Sequence, residues 1–346
     1  MRNKRTNWVL GWGTAICFTL IIHFTSAASS QSTLCIEALA GDQRLSTGIA
    51  TALPEKIVYV KVCEGDWSIL TMHQNAIRLE PGNPDSVDIL SINRLPDTDV
   101  TGRVFNITAA WLGGPTGRYG HGILGDTIES SALYVYLKNG TITSHDLTGQ
   151  AVFEDLRVRL VDLNADGRIE LVTIRSDVNS GAALDIYQLI ESRITPLAAT
   201  PPIGQGYRWL NPAGAADFDG DGSIEIAYIE TPHIGGILKV YSLDGSQLKL
   251  EHSEYGFSNH AMGSRNLDMA AVIDWNGDGV ADLAIPDTSR RHLKIVTLRD
   301  HEFRIIETVK NKAQISTAIL ASDLDGDGKA ELVYGLSDGT LKVITP

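Results

Sequence analysis

One ten-residue stretch occurs four times in this chain, and it limits the fold more than any other feature. Asp323-Leu324-Asp325-Gly326-Asp327-Gly328-Lys329-Ala330-Glu331-Leu332 is the clearest copy. The others begin at Asp162, Asp217 and Asp274. Side-chain oxygens fall at positions 1, 3, 5 and 9: Asp162, Asn164, Asp166 and Glu170; Asp217, Asp219, Asp221 and Glu225; Asp274, Asn276, Asp278 and Asp282; Asp323, Asp325, Asp327 and Glu331. The carbonyls of Arg168, Ser223, Val280 and Lys329 stand at position 7. A hard cation of calcium size takes six to eight oxygens at about 2.3–2.6 Å, and a tightly curled loop aims alternate residues at one point. Glycine at position 6 permits the sharp turn. The expectation is up to four Ca2+ ions, one per loop. The alternative is four ordinary Asp/Gly hairpin turns, and four copies in register favour the cation.

The loop is similar to the first half of an EF-hand, yet it lacks that motif's bidentate Glu at position 12. Thr173, Tyr228, Ile285 and Tyr334 stand there instead. Both flanks are strand-like, as in Val158-Arg159-Leu160-Val161 before the first loop and Leu171-Val172-Thr173-Ile174 after it. Each loop therefore joins two strands.

Spacing extends the pattern. Gly167, Gly222, Gly279 and Gly328 recur at intervals of 55, 57 and 49 residues. Stepping back reaches Gly117 and then Gly65, read as degenerate copies without metal. Each unit reads as four short strands; in the third they are 157–162, 170–175, 183–189 and 193–198. Four strands in about 50 residues make one propeller blade, and a ring of such blades buries both faces of each. The chain is thus expected to be an all-β propeller of six four-stranded blades, or seven, at 52–105, 106–150, 155–203, 210–258, 267–313 and 315–346. The last unit lacks a fourth strand. An N-terminal segment within 33–50, either 33–38 or 45–50, is expected to supply it and close the ring.

Arg2, Lys4 and Arg5 precede an apolar run from Trp8 to Phe24, and Thr25-Ser26-Ala27 offers small residues for cleavage. Residues 1–27 read as a signal peptide, with an uncleaved membrane anchor as the alternative, so the rest is expected to be periplasmic or secreted. The net charge of −13 excludes the basic face that nucleic acid requires. Fourteen carboxylates lie in the four loops. With Cys17 in the leader, Cys35 and Cys63 are left to form one disulfide or to remain two buried thiols. Asn106-Ile107-Thr108 and Asn139-Gly140-Thr141 are glycosylation sequons.

The repeated Asp-x-Asp-x-Asp-Gly-x-x-[Asp/Glu]-[Leu/Ile] between strands resembles the FG-GAP/VCBS repeat family, over 155–346 above all. That resemblance implies calcium loops on propeller blades, as in integrin α chains, and no assigned reaction. Segments such as Ser258-Asn259-His260-Ala261-Met262-Gly263-Ser264-Arg265 are similar to those of bacterial exported VCBS-repeat proteins. If the metal loops join strands 1 and 2, connections 2–3 and 4–1 share the opposite face. Arg208, Trp209, His233, Asn259, His260 and Arg265 fall in them and are the candidate site for a protein or carbohydrate ligand. The opposing reading is structural: Trp209 packs between blades and the histidines make internal hydrogen bonds. No nucleophile elbow, P-loop, dinucleotide fingerprint or zinc spacing occurs, so no catalytic residue is assigned. The function expected is a binding or interaction module with structural calcium. The alternative is a calcium-dependent hydrolase or lyase acting on a polyanionic carbohydrate or phosphate substrate.

Overall fold

The computed structural model describes residues 22–23, 30–32, 36–41, 58–62, 66–73, 76–81, 92–102 and 104–346. Cys35, Cys63, Gly65 and residues 1–21 lie outside them, and with them the expected disulfide, the weakest repeat copy and most of the leader. Among the described residues the chain is all-β, with a single 3-10 turn at Arg299–His301 and no helix long and apolar enough to cross a membrane.

The strands are β1 (Ile22–His23), β2 (Ser30–Ser32), β3 (Ile36–Gly41), β4 (Val58–Val62), β5 (Trp67–His73) and β6 (Ala76–Pro81). Then come β7 (Ile107–Thr116), β8 (Glu129–Leu137), β9 (Ile142–Asp146), β10 (Val152–Phe153), β11 (Arg159–Val161), β12 (Glu170–Asp177), β13 (Gly181–Ile190) and β14 (Arg193–Ala199). The remainder are β15 (Leu210–Ala216), β16 (Glu225–Glu230), β17 (Ile237–Asp244), β18 (Gln247–Tyr255), β19 (Ala271–Ile273), β20 (Asp282–Pro286), β21 (His292–Thr297), β22 (Arg304–Lys310), β23 (Ile315–Ser322), β24 (Glu331–Leu336) and β25 (Leu341–Ile344).

They form five antiparallel sheets. The first runs β1-β6-β5-β4-β3 and the third and fourth run β15 to β18 and β19 to β22 in order. The fifth runs β2-β25-β24-β23. The second holds eight strands because β10 pairs both β8 and β12, joining two units through Phe153. In three units the register slips at one place in the third strand, at Ile186/Tyr187, Val240/Tyr241 and Ile295/Val296. Such bulges increase the local twist.

Alternation along the second strands explains the packing, because successive side chains point to opposite faces. Val172 and Ile174 pack with Ile226 and Tyr228 of the third sheet, while Leu171 packs with Leu133 and Val135 of β8. Ala227 and Ile229 in turn meet Leu283 and Ile285 of the fourth sheet. Ala284 meets Leu332 and Tyr334 of the fifth, and Val333 and Val343 meet Val58 and Val60 of the first. Sheets buried on both faces need near-continuous apolar strands, which Leu171-Val172-Thr173-Ile174 and Leu283-Ala284-Ile285 supply. First strands also lie beside one another, β15 by β19, β19 by β23 and β23 by β3.

Three expectations need correction. The strand that completes the fifth sheet is Ser30–Ser32, not a segment of 33–50, and Ile36–Gly41 instead opens the first sheet. The first unit accordingly spans 36–81 rather than 52–105, because the segment 92–102 bridges to β7 at Arg94–Gly113 and Thr101–Ala110 and belongs to the second. Gly117 therefore does not mark a lost metal loop. The connection between strands 1 and 2 of that unit is the tight turn Val104-Phe105-Asn106-Ile107, and 117–128 joins strands 2 and 3.

Candidate functional site

The four acidic loops share one hydrogen-bond pattern. The position-1 Asp accepts from the position-6 glycine N–H at 3.0 Å for Asp162 and Asp217 and 2.9 Å for Asp274 and Asp323. Position 3 accepts from the position-5 N–H, and position 5 from the position-7 N–H. Glu170, Glu225, Asp282 and Glu331 accept from the position-2 N–H of Leu163, Phe218, Trp275 and Leu324. A loop wound this way turns its carboxylates inward. In the last three, glycine at position 4 sits at φ 87, 73 and 78°, and the first places Ala165 there at φ 54°.

Each position-9 carboxyl is buried at the root of its loop. Burial pushes Glu170 and Glu331 up to about 7, Glu225 to about 8 and Asp282 to about 6, partly offset by the position-2 N–H and reinforced by neighbouring loop carboxylates. Asp217, Asp219 and Glu225, and likewise Asp323, Asp325 and Glu331, bring carboxylate oxygens within 4.8 Å of one another, so both clusters could hold a metal ion. Asn164 and Asn276 replace a carboxylate in the other two. Asp282 Oδ1 is buried without a hydrogen-bond partner, a need that a cation would meet. An all-oxygen donor set fits a hard cation. The turn Arg299–His301 reaches these loops: Arg299 Nη1 lies 2.8 Å from Asp278 Oδ2, and His301 Nδ1 lies 2.9 Å from Asp219 Oδ2.

The remaining connections meet on another face. Gly236, at the turn between β16 and β17, lies so close to Phe257 that an added Cβ would fall 1.6 Å from its carbonyl oxygen. The expected ligand residues separate here. Trp209, His233 and His260 come together: Trp209 stacks on His233 at 6.2 Å and meets His260 edge-on at 4.7 Å. Trp209 is buried and donates to Glu154 O at 3.0 Å. Asn259 is a buried clasp, donating to Asn211 O at 3.1 Å and Pro212 O at 3.0 Å, while Asn211 donates back to Asn259 O at 3.2 Å. Arg265 is held by Asp126 at 2.9 Å and Asp97 at 3.4 Å. The Arg208 guanidinium donates to the Tyr207 carbonyl at 3.1 Å, and the Arg208 carbonyl accepts from Ala182 N–H at 2.9 Å. The structural reading therefore fits Trp209, which is buried, and the histidines, since His233 and His260 bond each other and His260 bonds Ser264 O.

His260 Nε2 lies 2.8 Å from Ser264 O, which can only accept. Burial lowers both His260 and His233 to about 4, helped by Arg290 and, at His233, by His121. Neutral His260 thus donates from Nε2 and accepts at Nδ1 from His233 Nε2, 2.9 Å away. His233 is left with an acceptor at Nδ1.

Sequence reasoning missed His121 and Glu154, because 117–128 was given to the other face. His121 Nδ1 lies 2.7 Å from Glu154 Oε1, and the Ser176 hydroxyl donates to Glu154 Oε2 at 2.6 Å. Glu154 is 0% exposed, and burial raises its carboxyl above the usual range, opposed by His121 and Ser176. Tyr119, Tyr207 and His121 form an aromatic group with centroids 5.1–5.9 Å apart. Glycine spacing carried no hint of this dyad; the run Tyr119-Gly120-His121 was the one local signal.

No family model matches this chain, and no curated protein matches it. Among solved structures it is similar to rhamnogalacturonan lyase YesW, at 14% identity and a TM-score of 0.38, over 87% of this chain and 60% of that one. The chain thus spans less than two thirds of that protein, and a likeness so distant carries no argument about fold or function.

Proposed function

We propose that the chain is an exported, calcium-binding β-propeller of six four-stranded blades that acts as a binding or interaction module. The observation that carries the ring is the return of the chain on itself. β2 completes the fifth sheet while β3, a few residues later, packs on β23 of that sheet and opens the first. Closure of this kind leaves only short, protected edges. The six units are then 36–81, 92–146, 152–199, 210–255, 271–310 and 315–344 with 30–32. In this reading calcium staples the turn between strands 1 and 2 in up to four blades, and the opposite face holds the ligand. The test is a pull-down from the native envelope fraction with and without calcium, using the folded chain and a Tyr207→Ala variant. Capture of a defined partner that is lost in the variant supports the module; equal capture by both removes the ligand face from the account. A second reading, a calcium-dependent lyase or hydrolase, is favoured by one feature, the His121–Glu154 dyad. Turnover of uronic-acid polymers or phosphomonoesters by the purified chain would establish it.

A further inference from the structure

We infer that the face carrying the dyad is a binding site for an acidic sugar, with Arg290 taking the carboxylate, His233 a hydroxyl, and Tyr207 an apolar face of the ring. The inference rests on the proposed ligand face and names its chemistry. The groups are contiguous: Tyr207 lies against His121 at 5.7 Å, and His121 is held by Glu154. The Glu154 carbonyl holds Trp209, Trp209 stacks on His233, and His233 bonds to His260. The His260 carbonyl accepts from Arg290 Nη1 at 3.3 Å.

Each member leaves one requirement unmet, and together these describe a ligand. Arg290 is half-buried, and among the described residues it has no carboxylate partner, in a chain of net charge −13. A guanidinium placed so takes an anion, best a planar carboxylate. His233 presents a bare Nδ1 and needs a donor such as a hydroxyl. The dyad leaves a third site: His121 Nδ1 is engaged by Glu154 Oε1 at 2.7 Å, and Nε2 remains for a ligand hydroxyl, which can either donate or accept.

The rim is apolar. Tyr207 is 45% exposed, Ile234 60% and Met262 71%, each beside the polar cluster in sequence or space. Tyr207 is also held at φ 57°, in the left-handed region that costs an L-residue about 1–2 kcal/mol, with its N–H bonded to the Tyr119 hydroxyl. A backbone held there while its ring faces solvent fits a surface meant for contact. One carboxylate, several hydroxyls and a flat C–H face belong together in uronic acids.

Calorimetry on the full chain in calcium tests this, with D-galacturonate, its neutral counterpart D-galactose, and acetate as the bare carboxylate. Galacturonate should bind at least about tenfold tighter than either. Arg290→Gln should remove that preference, and Tyr207→Ala should weaken both sugars. Lys138→Gln, far from this face, should bind as the parent does. Thermal melting checks that each variant is folded; if Arg290→Gln melts early, Tyr207→Ala and His121→Asn take its place. Galacturonate bound no tighter than galactose or acetate overturns the inference, as does a folded Arg290→Gln with unchanged preference. Loss of galacturonate binding alongside a partner still captured in the pull-down would leave the binding module standing and remove only the acidic sugar.

Discussion

Asp325→Asn separates the two roles that the fourth loop's carboxylates play. Asn is nearly isosteric and keeps the acceptor that holds Asp327 N–H at 3.1 Å. The first and third loops already carry Asn at this position. Without metal, Asp323, Asp325 and Glu331 crowd their oxygens within 4.8 Å. At that separation two full charges in water repel by about 0.9 kcal/mol. Asp325 is exposed, so the water value applies to it better than an interior one. Glu331, pushed up to about 7, is half-charged at neutral pH, so its share is smaller. Removing the Asp325 charge should relieve about 1 kcal/mol in the metal-free protein. With millimolar calcium and a site of about 0.1–1 mM, occupancy contributes roughly 0.4–1.4 kcal/mol, and the variant loses most of it. The variant should therefore melt about 1–3 °C above the parent in chelator and gain less from calcium than the parent does. The assay is thermal denaturation followed by circular dichroism in chelator and across a calcium titration. A variant less stable than its parent in chelator, or one with an undiminished calcium increment, refutes the argument that these oxygens repel until an ion joins them.

Ala165→Gly replaces the one L-residue at a left-handed position that the sister loops give to glycine; stability should rise by about 0.5–1 kcal/mol in a denaturant titration, net of glycine's unfolded-state entropy. Arg299→Gln frees Asp278 of its guanidinium partner, so the chelated protein should melt lower and its calcium increment should grow, both read from the same melting curves. Glu129 is buried, and burial raises it to about 9, with Glu154, Asp126, Asp97 and Asp155 adding to the shift. A carboxyl whose folded pKa is raised favours folding fully below its unfolded value, near 4.5, and loses that contribution as pH rises toward 9. Glu129→Gln should therefore gain over the parent as pH climbs, by on the order of 4 kcal/mol from pH 5 to pH 8, and a constant difference from pH 5 to 9 would exclude this role.

How much of this was legible depends on whether a residue acts within its own strand or across strands. The third unit reads almost directly, with 170–175 observed as Glu170–Asp177 and 193–198 as Arg193–Ala199. There the alternation of the strands and the turn chemistry of the loop agree. The N-terminal half misled because it holds no copy of the ten-residue acidic motif, so only glycine spacing was left to set the register. Gly117 sat at the right interval in the wrong connection. A register error of one strand moves a loop to the opposite end of its sheet, and with it went Tyr119 and His121. The face they join is built by pairs far apart in sequence: His121 with Glu154, Trp209 with His233, and His260 with Arg290. Periodicity speaks for neighbours along a strand; such pairs meet only because consecutive sheets stack and return their connections to one side. The acidic loops, whose oxygens all come from nine consecutive residues, are the opposite case. A site folded from one short stretch can be read from that stretch, and a site assembled between sheets waits on the stacking that brings its parts together.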